Sequence, residues 1–291
     1  MPNKKTLLLS VPLCLFFSLT LAAADSKTAT HTDLTAAQIV EKNVAARGGL
    51  KAWRAVQTMS WAGQMEAGGG SINRSRRVVE GGWRRHGKME LTTNKDAGAN
   101  GEADKQVQLP FVLEMKRPIK SRFEIQFAGK TAVQVFDGTN GWKVRPYLNR
   151  NDAEPFTADE VKSEAGKGAL DGYLVDYALK GTKVDFEGVE PVEGRDAYKL
   201  KLTERSGNVV HVWIDKESFL DVKVEGAPRR MDGRMRTVWT YQRDFRPVQG
   251  LMIPYVLETA VDGFKETHKT IIEKVEVNPK LDDALFTKPV V

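Results

Sequence analysis

The residue types that carry most enzyme chemistry are scarce in this chain and poorly spaced for it. The only histidines, His31, His86, His211 and His268, lie far apart, with no i, i+4 pair and no acid at metal-ligand spacing. Neither the H-E-x-x-H pattern of zinc hydrolases nor the G-x-S-x-G elbow of serine hydrolases occurs. The single cysteine, Cys14, sits inside an apolar N-terminal run, so a chain cut beyond that run has no thiol for attack or for zinc. Gly68-Gly69-Gly70-Ser71 reads as a turn between strands, and Gly166-Lys167-Gly168 lacks the Walker spacing and a preceding buried strand. The 38 carboxylates could supply a pair for glycoside cleavage, but spacing singles out no two of them, and solvated strand faces account for most. The sequence therefore predicts no catalytic residue, no metal and no cofactor.

Other marked residues point to binding rather than catalysis. Asn73-Arg74-Ser75 matches an N-glycosylation acceptor, and Arg74, Arg76, Arg77, Arg84 and Arg85 form a basic cluster suited to an acidic partner, a headgroup or a solvated strand edge. Five of the six tryptophans stand among the strand-like segments, with Trp213 beside His211 and Trp239 near Tyr241. Large aromatics on both faces of a strand mean either a cavity on one face or a filled core with aromatic edges. A net charge of +6 spread along the chain gives no nucleic-acid footprint.

The N-terminus sets the compartment. Lys4 and Lys5 precede an apolar run over 7–21, and Ala22, Ala23 and Ala24 supply the small residues of a cleavage site. This is the layout of a secretory signal peptide, shorter in its apolar part than the ~20 residues of a membrane-spanning helix. The expectation is cleavage after Ala24, export to the periplasm, one domain over 25–291 and no transmembrane segment in the mature chain. Cys14 lies too deep in the run, behind bulky Leu13, to serve as a lipoprotein cysteine. Export also takes the chain away from ATP and NAD.

The elements that would position a binding site follow from periodicity. Thr35 and Gln38 form a capping box, Ile39, Val40, Asn43 and Val44 follow at helical spacing, and Gly48-Gly49 stops the helix. A second short helix over 50–56 presents Leu50, Trp53 and Val56. The period then changes to two. Phe123, Ile125 and Phe127 alternate with polar residues, as do Tyr198, Leu200 and Leu202, while Val210, Val212 and Ile214 alternate with Val209, His211 and Trp213. Similar strands are predicted over 57–66, 74–92, 130–136, 141–147, 219–225, 235–245, 251–261 and 266–277, with turns at Asp137-Gly138, Asn140-Gly141, Ser206-Gly207 and Asp232-Gly233. Residues 94–108 read as a loop and 156–180 as a helical insert.

Four segments in this order resemble the outer-membrane lipoprotein-sorting, LolA-like superfamily. They are the opening helix–Gly–Gly–helix with Arg47-Gly48-Gly49 and Trp53, the turn from Val135 to Trp142 containing Asp137-Gly138-Thr139-Asn140-Gly141, the late Gly250-Leu251-Met252-Ile253-Pro254, and the closing Asn278-Pro279-Lys280-Leu281-Asp282-Asp283-Ala284-Leu285-Phe286. The resemblance spans nearly all of the chain beyond residue 24. It implies a mainly β, α+β fold: a large antiparallel half-open β-barrel, here of about ten or eleven strands, with N-terminal helices and a helical insert covering an apolar cavity. It further implies a non-enzymatic periplasmic carrier whose partners are the acyl chains of lipoproteins or another lipid, with an inner- or outer-membrane envelope protein for delivery. An envelope-stress sensor or interaction module on the same scaffold, and an envelope hydrolase using paired carboxylates, are the alternatives. The chain is longer than the best-studied members, and no site residue transfers from them. The candidate cavity residues are the bulky strand residues Trp61, Phe123, Phe127, Trp142, Trp213, Trp239 and Tyr241. Alternation does not tell which face is the lumen.

Overall fold

A computed structural model describes residues 34–67, 107–165, 170–231 and 233–290, without the side chains of Ala227 and Arg229. The leader, the acceptor triplet, the basic cluster, the strand expected over 74–92 and most of the loop expected over 94–108 lie outside the described residues. The elements are α1 (Ala36–Ala46), α2 (Leu50–Ala55), β1 (Thr58–Ala67), β2 (Val107–Lys116), β3 (Lys120–Phe127), β4 (Lys130–Phe136), β5 (Gly141–Arg145), β6 (Arg150–Pro155), α3 (Ala158–Ala165), β7 (Lys183–Val192), β8 (Arg195–Thr203), β9 (Val209–Asp215), β10 (Asp221–Met231), β11 (Arg234–Val248), β12 (Leu251–Val261) and β13 (His268–Val277). One-turn 3₁₀ helices follow at Pro146–Leu148 and Asp283–Phe286.

The 13 strands among the described residues form one antiparallel sheet in the order β6-β5-β4-β3-β2-β1-β13-β12-β11-β10-β9-β8-β7. Two meanders are joined where β1 pairs with β13, Met59 opposite Val277 and Trp61 opposite Val275. Both free edges, β6 and β7, therefore come from the middle of the chain, and the connection between them must cross the open side. Meander geometry also puts alternate turns at opposite ends of the sheet. The β2–β3, β4–β5, β7–β8, β9–β10 and β11–β12 turns share one end. The β3–β4, β5–β6, β8–β9, β10–β11 and β12–β13 turns share the other.

The helical pair caps the first of these ends. Thr35 and Gln38 make the capping box predicted from sequence. The corner after α1 needs glycine: Gly48 has φ +113°, and a Cβ there would lie 2.3 Å from the Gly250 carbonyl oxygen. That close approach lets the Met252 N–H donate to the Arg47 carbonyl at 3.1 Å, fixing the helices to the β11–β12 turn. The C-terminal segment binds the same end, where the Gln57 N–H donates to Asn278 Oδ1 at 2.7 Å and Thr58 Oγ1 donates to the Pro279 carbonyl at 2.7 Å.

The main core lies between the helices and the inner face of the sheet. It joins Ile39, Val40, Val44 and Trp53 to Leu200, Leu202, Val210, Val212, Ile214, Leu251 and Ile253, with Leu174 and Val175 from the edge-to-edge connection. On β9 the inward residues are Val210, Val212 and Ile214, so Trp213 faces outward.

The sheet has more strands than the ten or eleven expected. β6 reads Arg-Asn-Asp-Ala-Glu-Pro, with almost nothing apolar to reveal a strand, and Pro110 in β2 and Gly188 with Pro191 in β7 interrupt alternation. The insert is only partly helical. α3 ends at Ala165, and 170–181 is a run of turns in which Gly172 at φ +79° and Asp176 at φ +52° break helical continuity.

Candidate ligand cavity

The inner face not filled by the core encloses a cavity of about 520 Å³. Its walls come from Trp61 of β1, Leu113 and Met115 of β2, Phe123 of β3, Val135 and Phe136 of β4, Val224 and Gly226 of β10, Val238 and Thr240 of β11, and Ile253 and Leu257 of β12. Trp53 and Arg47 close the helical end, and Phe156, α3 residues Ser163 and Glu164, and residues 170–174 lie across the opening. Phe156 occupies space that only glycine at position 141 leaves free: a Cβ on Gly141 would lie 1.9 Å from its ring. The Asp-Gly turn before Gly141 is held by Asp137, whose Oδ1 accepts the N–H groups of Thr139 and Asn140 at 2.7 Å each.

The cover is fastened by charge. Buried Asp171 receives Arg117 at 2.7 Å and Lys180 at 2.7 Å, and Arg117 also donates to the carbonyls of Val56 and Trp53. Arg54 pairs with Asp176 at 2.6 Å. At the other side of the cover, Lys143 pairs with Glu160, and Thr157 and Glu160 cap α3 reciprocally.

Charged side chains reach the cavity at three places, one of them Glu164 of α3 at the opening. At the helical end Asp221 is buried with Asn43 and Arg47: Asn43 Nδ2 donates to Asp221 Oδ1 at 3.0 Å and to the Phe219 carbonyl at 2.8 Å, while Arg47 Nε lies 3.5 Å from Asp221 Oδ2. Burial pushes the Asp221 carboxyl up, against the opposing pull of Arg47 and Asn43. The Arg47 guanidinium also stacks 4.6 Å from the Trp53 ring. At the second place Lys116 and Lys120 share Asp283 at 3.2 and 2.9 Å. Burial, with the charge of Glu204, raises the Tyr173 phenol to about 12, so this lining group stays neutral. Trp61 Nε1 and Asn43 Oδ1 are buried without a hydrogen-bond partner among the described residues. No group of three or more metal-ligating side chains occurs among the described residues, and none of their helices is long and apolar enough to cross a membrane.

The seven candidate residues from sequence fall into separate places. Trp61 and Phe123 line the cavity. Phe127 is 41% exposed at the β3–β4 turn, edge-on to Tyr147 with ring centres 6.0 Å apart. Trp142 lies on β5 between Val135 and Pro155 of the flanking strands. Trp213, Trp239 and Tyr241 assemble on the outer face with Val192, Ala197 and Val222. There they surround Lys223, whose Nζ is 4.4, 4.9 and 5.5 Å from the three ring centres.

Two solved structures share this architecture. A LolA superfamily protein from Nitrosomonas europaea superposes with a TM-score of 0.53 at 16% identity, covering 88% of this chain and 98% of its own. The chain has the LolA-like fold. A DUF1329 family protein from Desulfovibrio piger matches with a TM-score of 0.50 at 12% identity, covering 87% of this chain and 97% of its own. A family model described only as an uncharacterized protein matches residues 176–290, and no curated protein matches the sequence.

In this LolA-like sheet the polar groups of the cavity come together from distant parts of the chain, which is why spacing did not reveal them. Asn43 and Asp221 are 178 positions apart. Arg47 and Trp53 stood in the helix–Gly–Gly–helix segment, but nothing in that segment shows that both face a cavity. His211 gains Glu225 from β10 and Glu187 from β7 as neighbours only once the strands pair.

Proposed function

We propose that this protein is a non-enzymatic periplasmic carrier, exported by residues 1–24 and folded over 25–291 as one LolA-like half-barrel, that holds acyl chains of lipoproteins or another lipid. The observation that carries this reading is the apolar cavity of about 520 Å³ between the inner sheet face and the covering connection. Its size is that of small-molecule sites, commonly ~300–1,000 Å³, and its aromatic and aliphatic walls suit a hydrocarbon. Each methylene moved from water into such a site gains roughly 0.8 kcal/mol, so one long chain supplies ample driving force without nucleotide or metal. Release then falls to the cover, which is held by ion pairs at Asp171, Asp176 and Glu160 rather than by strand pairing.

Native mass spectrometry of the protein purified from its own envelope tests the proposal. The expected result is a population carrying a lipid adduct that exchanges for an added fatty-acyl probe. Wholly empty protein that takes up no probe would remove the carrier reading.

A further inference from the structure

The two ends of the sheet differ in a way the cavity does not explain. One end is capped by α1, α2 and the C-terminal segment. The opposite end, where β1 stops at Ala67 and β2 starts at Val107, has no α-helix over it among the described residues, and most of the large exposed apolar side chains stand there. Phe127 is 41% exposed, Tyr147 47% and Leu148 37% on the adjacent β3–β4 and β5–β6 turns, and Met235 is 57% exposed on the β10–β11 hairpin. Val107 at the start of β2 and Val209 at the start of β9 add to the same end, 44% and 41% exposed.

This end also carries a local excess of cations. At the capped end Arg54, Lys116, Arg117 and Lys120 are engaged by Asp176, Asp283 and Asp171, while Lys51 and Lys280 have no ion pair among the described residues. At the bare end Lys130, Arg205, Arg230, Arg234 and Lys265 have no ion pair among the described residues, and all five are exposed. The β10–β11 hairpin is the extreme case: its sequence over 228–236 holds Arg229, Arg230, Arg234 and Arg236 against one acid, Asp232. Acids elsewhere at this end include Glu66, which accepts the Lys269 N–H at 2.9 Å, Glu204, which accepts from Asn208 Nδ2 at 3.0 Å, and the exposed Asp262 and Glu266 that flank Lys265.

Exposed aromatic and methionine side chains interleaved with unpaired arginines match one kind of partner well. We propose that the bare end of the sheet docks on an anionic lipid bilayer, with Arg230, Arg234 and Lys130 at the headgroups and Phe127, Leu148 and Met235 at the acyl boundary. Docking is a property of this end and holds whatever the cavity carries.

Sedimentation of the purified exported protein with vesicles tests it. Vesicles of equal phosphatidylglycerol and phosphatidylcholine should bind at least tenfold more tightly than pure phosphatidylcholine, and 0.5 M salt should abolish the difference. Arg230→Gln with Arg234→Gln should weaken binding at least tenfold, since each basic residue at an anionic surface is worth about fivefold. Met235→Ser should weaken it severalfold and, as a single exposed change, serves where the double variant folds poorly. Lys51→Gln with Lys280→Gln, exposed cations at the capped end, should leave binding unchanged. Equal binding to both vesicle types, binding to neither, or equal loss with the Lys51/Lys280 variant would overturn the proposal.

Discussion

The inner and outer faces of β9, β10 and β11 are built from alternate residues of the same strands, yet they do opposite things. Inward, Val212, Val224, Val238 and Thr240 line part of an open cavity. Outward, Trp213, Trp239 and Tyr241 close around Lys223. The larger side chains are on the closed face. Bulk alone therefore does not mark a lumen; what marks it is the absence of a partner layer across smaller residues.

Electrostatics separates the faces as well. On the inner side burial raises Asp221. On the outer side Glu190, Glu193 and Glu258 are all lowered. For Glu193 the hydrogen bond from Arg243 dominates. For Glu190 and Glu258 desolvation, though the largest influence, is outweighed by the combined hydrogen bonds and cations of Trp213, Lys199, Thr267 and Arg243.

The largest effect expected from this contrast is in stability. Leu200 is fully buried on the inner face, and Leu200→Ala should cost about 2–5 kcal/mol in chemical denaturation. Truncating half-buried Trp239 on the outer face to Ala should cost less. Equal losses would mean that both faces are equally filled.

Ligand binding should divide the faces next. Phe123→Asp places a charge in the cavity wall and should weaken binding of a fluorescent fatty-acyl probe at least tenfold, whereas Trp239→Ala should leave the affinity within about twofold. An effect of Trp239→Ala as large as that of Phe123→Asp, read by fluorescence titration, would move the lumen to the other face.

The pH dependences should have opposite signs. Asp221 has a raised pKa in the folded chain, so the folded state holds its proton to higher pH than the unfolded state. Its contribution is fully favourable below the ordinary value of 3.8 and declines as pH rises through the raised value. Asp221→Asn removes that decline, so its stability relative to the parent should improve as pH rises above about 4. Glu258 is lowered, so its contribution is present above the ordinary 4.5 and is lost as pH falls through the lowered value. Glu258→Gln should therefore be deficient above that range and approach the parent in acid. Denaturation midpoints measured from pH 3 to 8 check both, and parallel profiles would refute the assignment.

The smallest effect belongs to Lys223. Its ammonium gains from three rings, but burial lowers its pKa, so Lys223→Met should change stability at pH 7 by no more than about 1 kcal/mol.

The contrast also explains how much could be read in the sequence. Strict alternation at Phe123–Phe127, Tyr198–Leu202 and Val210–Ile214 revealed three strands; the last two bury a face, and the first turns Phe123 to the cavity. The same alternation was silent on which face encloses space, since β9 carries apolar residues on both. β6 escaped notice because an edge strand of polar residues has no period to show. The Asn43–Asp221–Arg47 cluster escaped because its members meet only when α1 docks on the end of the β9–β10 turn.

Filling the cavity should abolish ligand binding without unfolding the protein. Gly226 lines the cavity, and a Cβ added there meets only the Val238 carbonyl oxygen at 3.7 Å, an ordinary contact. Gly226→Phe should therefore fold and occupy the lumen. Titrating parent and variant with a fluorescent fatty-acyl probe, the account predicts saturable binding by the parent and at least tenfold weaker binding by Gly226→Phe at matched thermal stability. Equal affinity for the two folded proteins, or no binding by the parent, would contradict it.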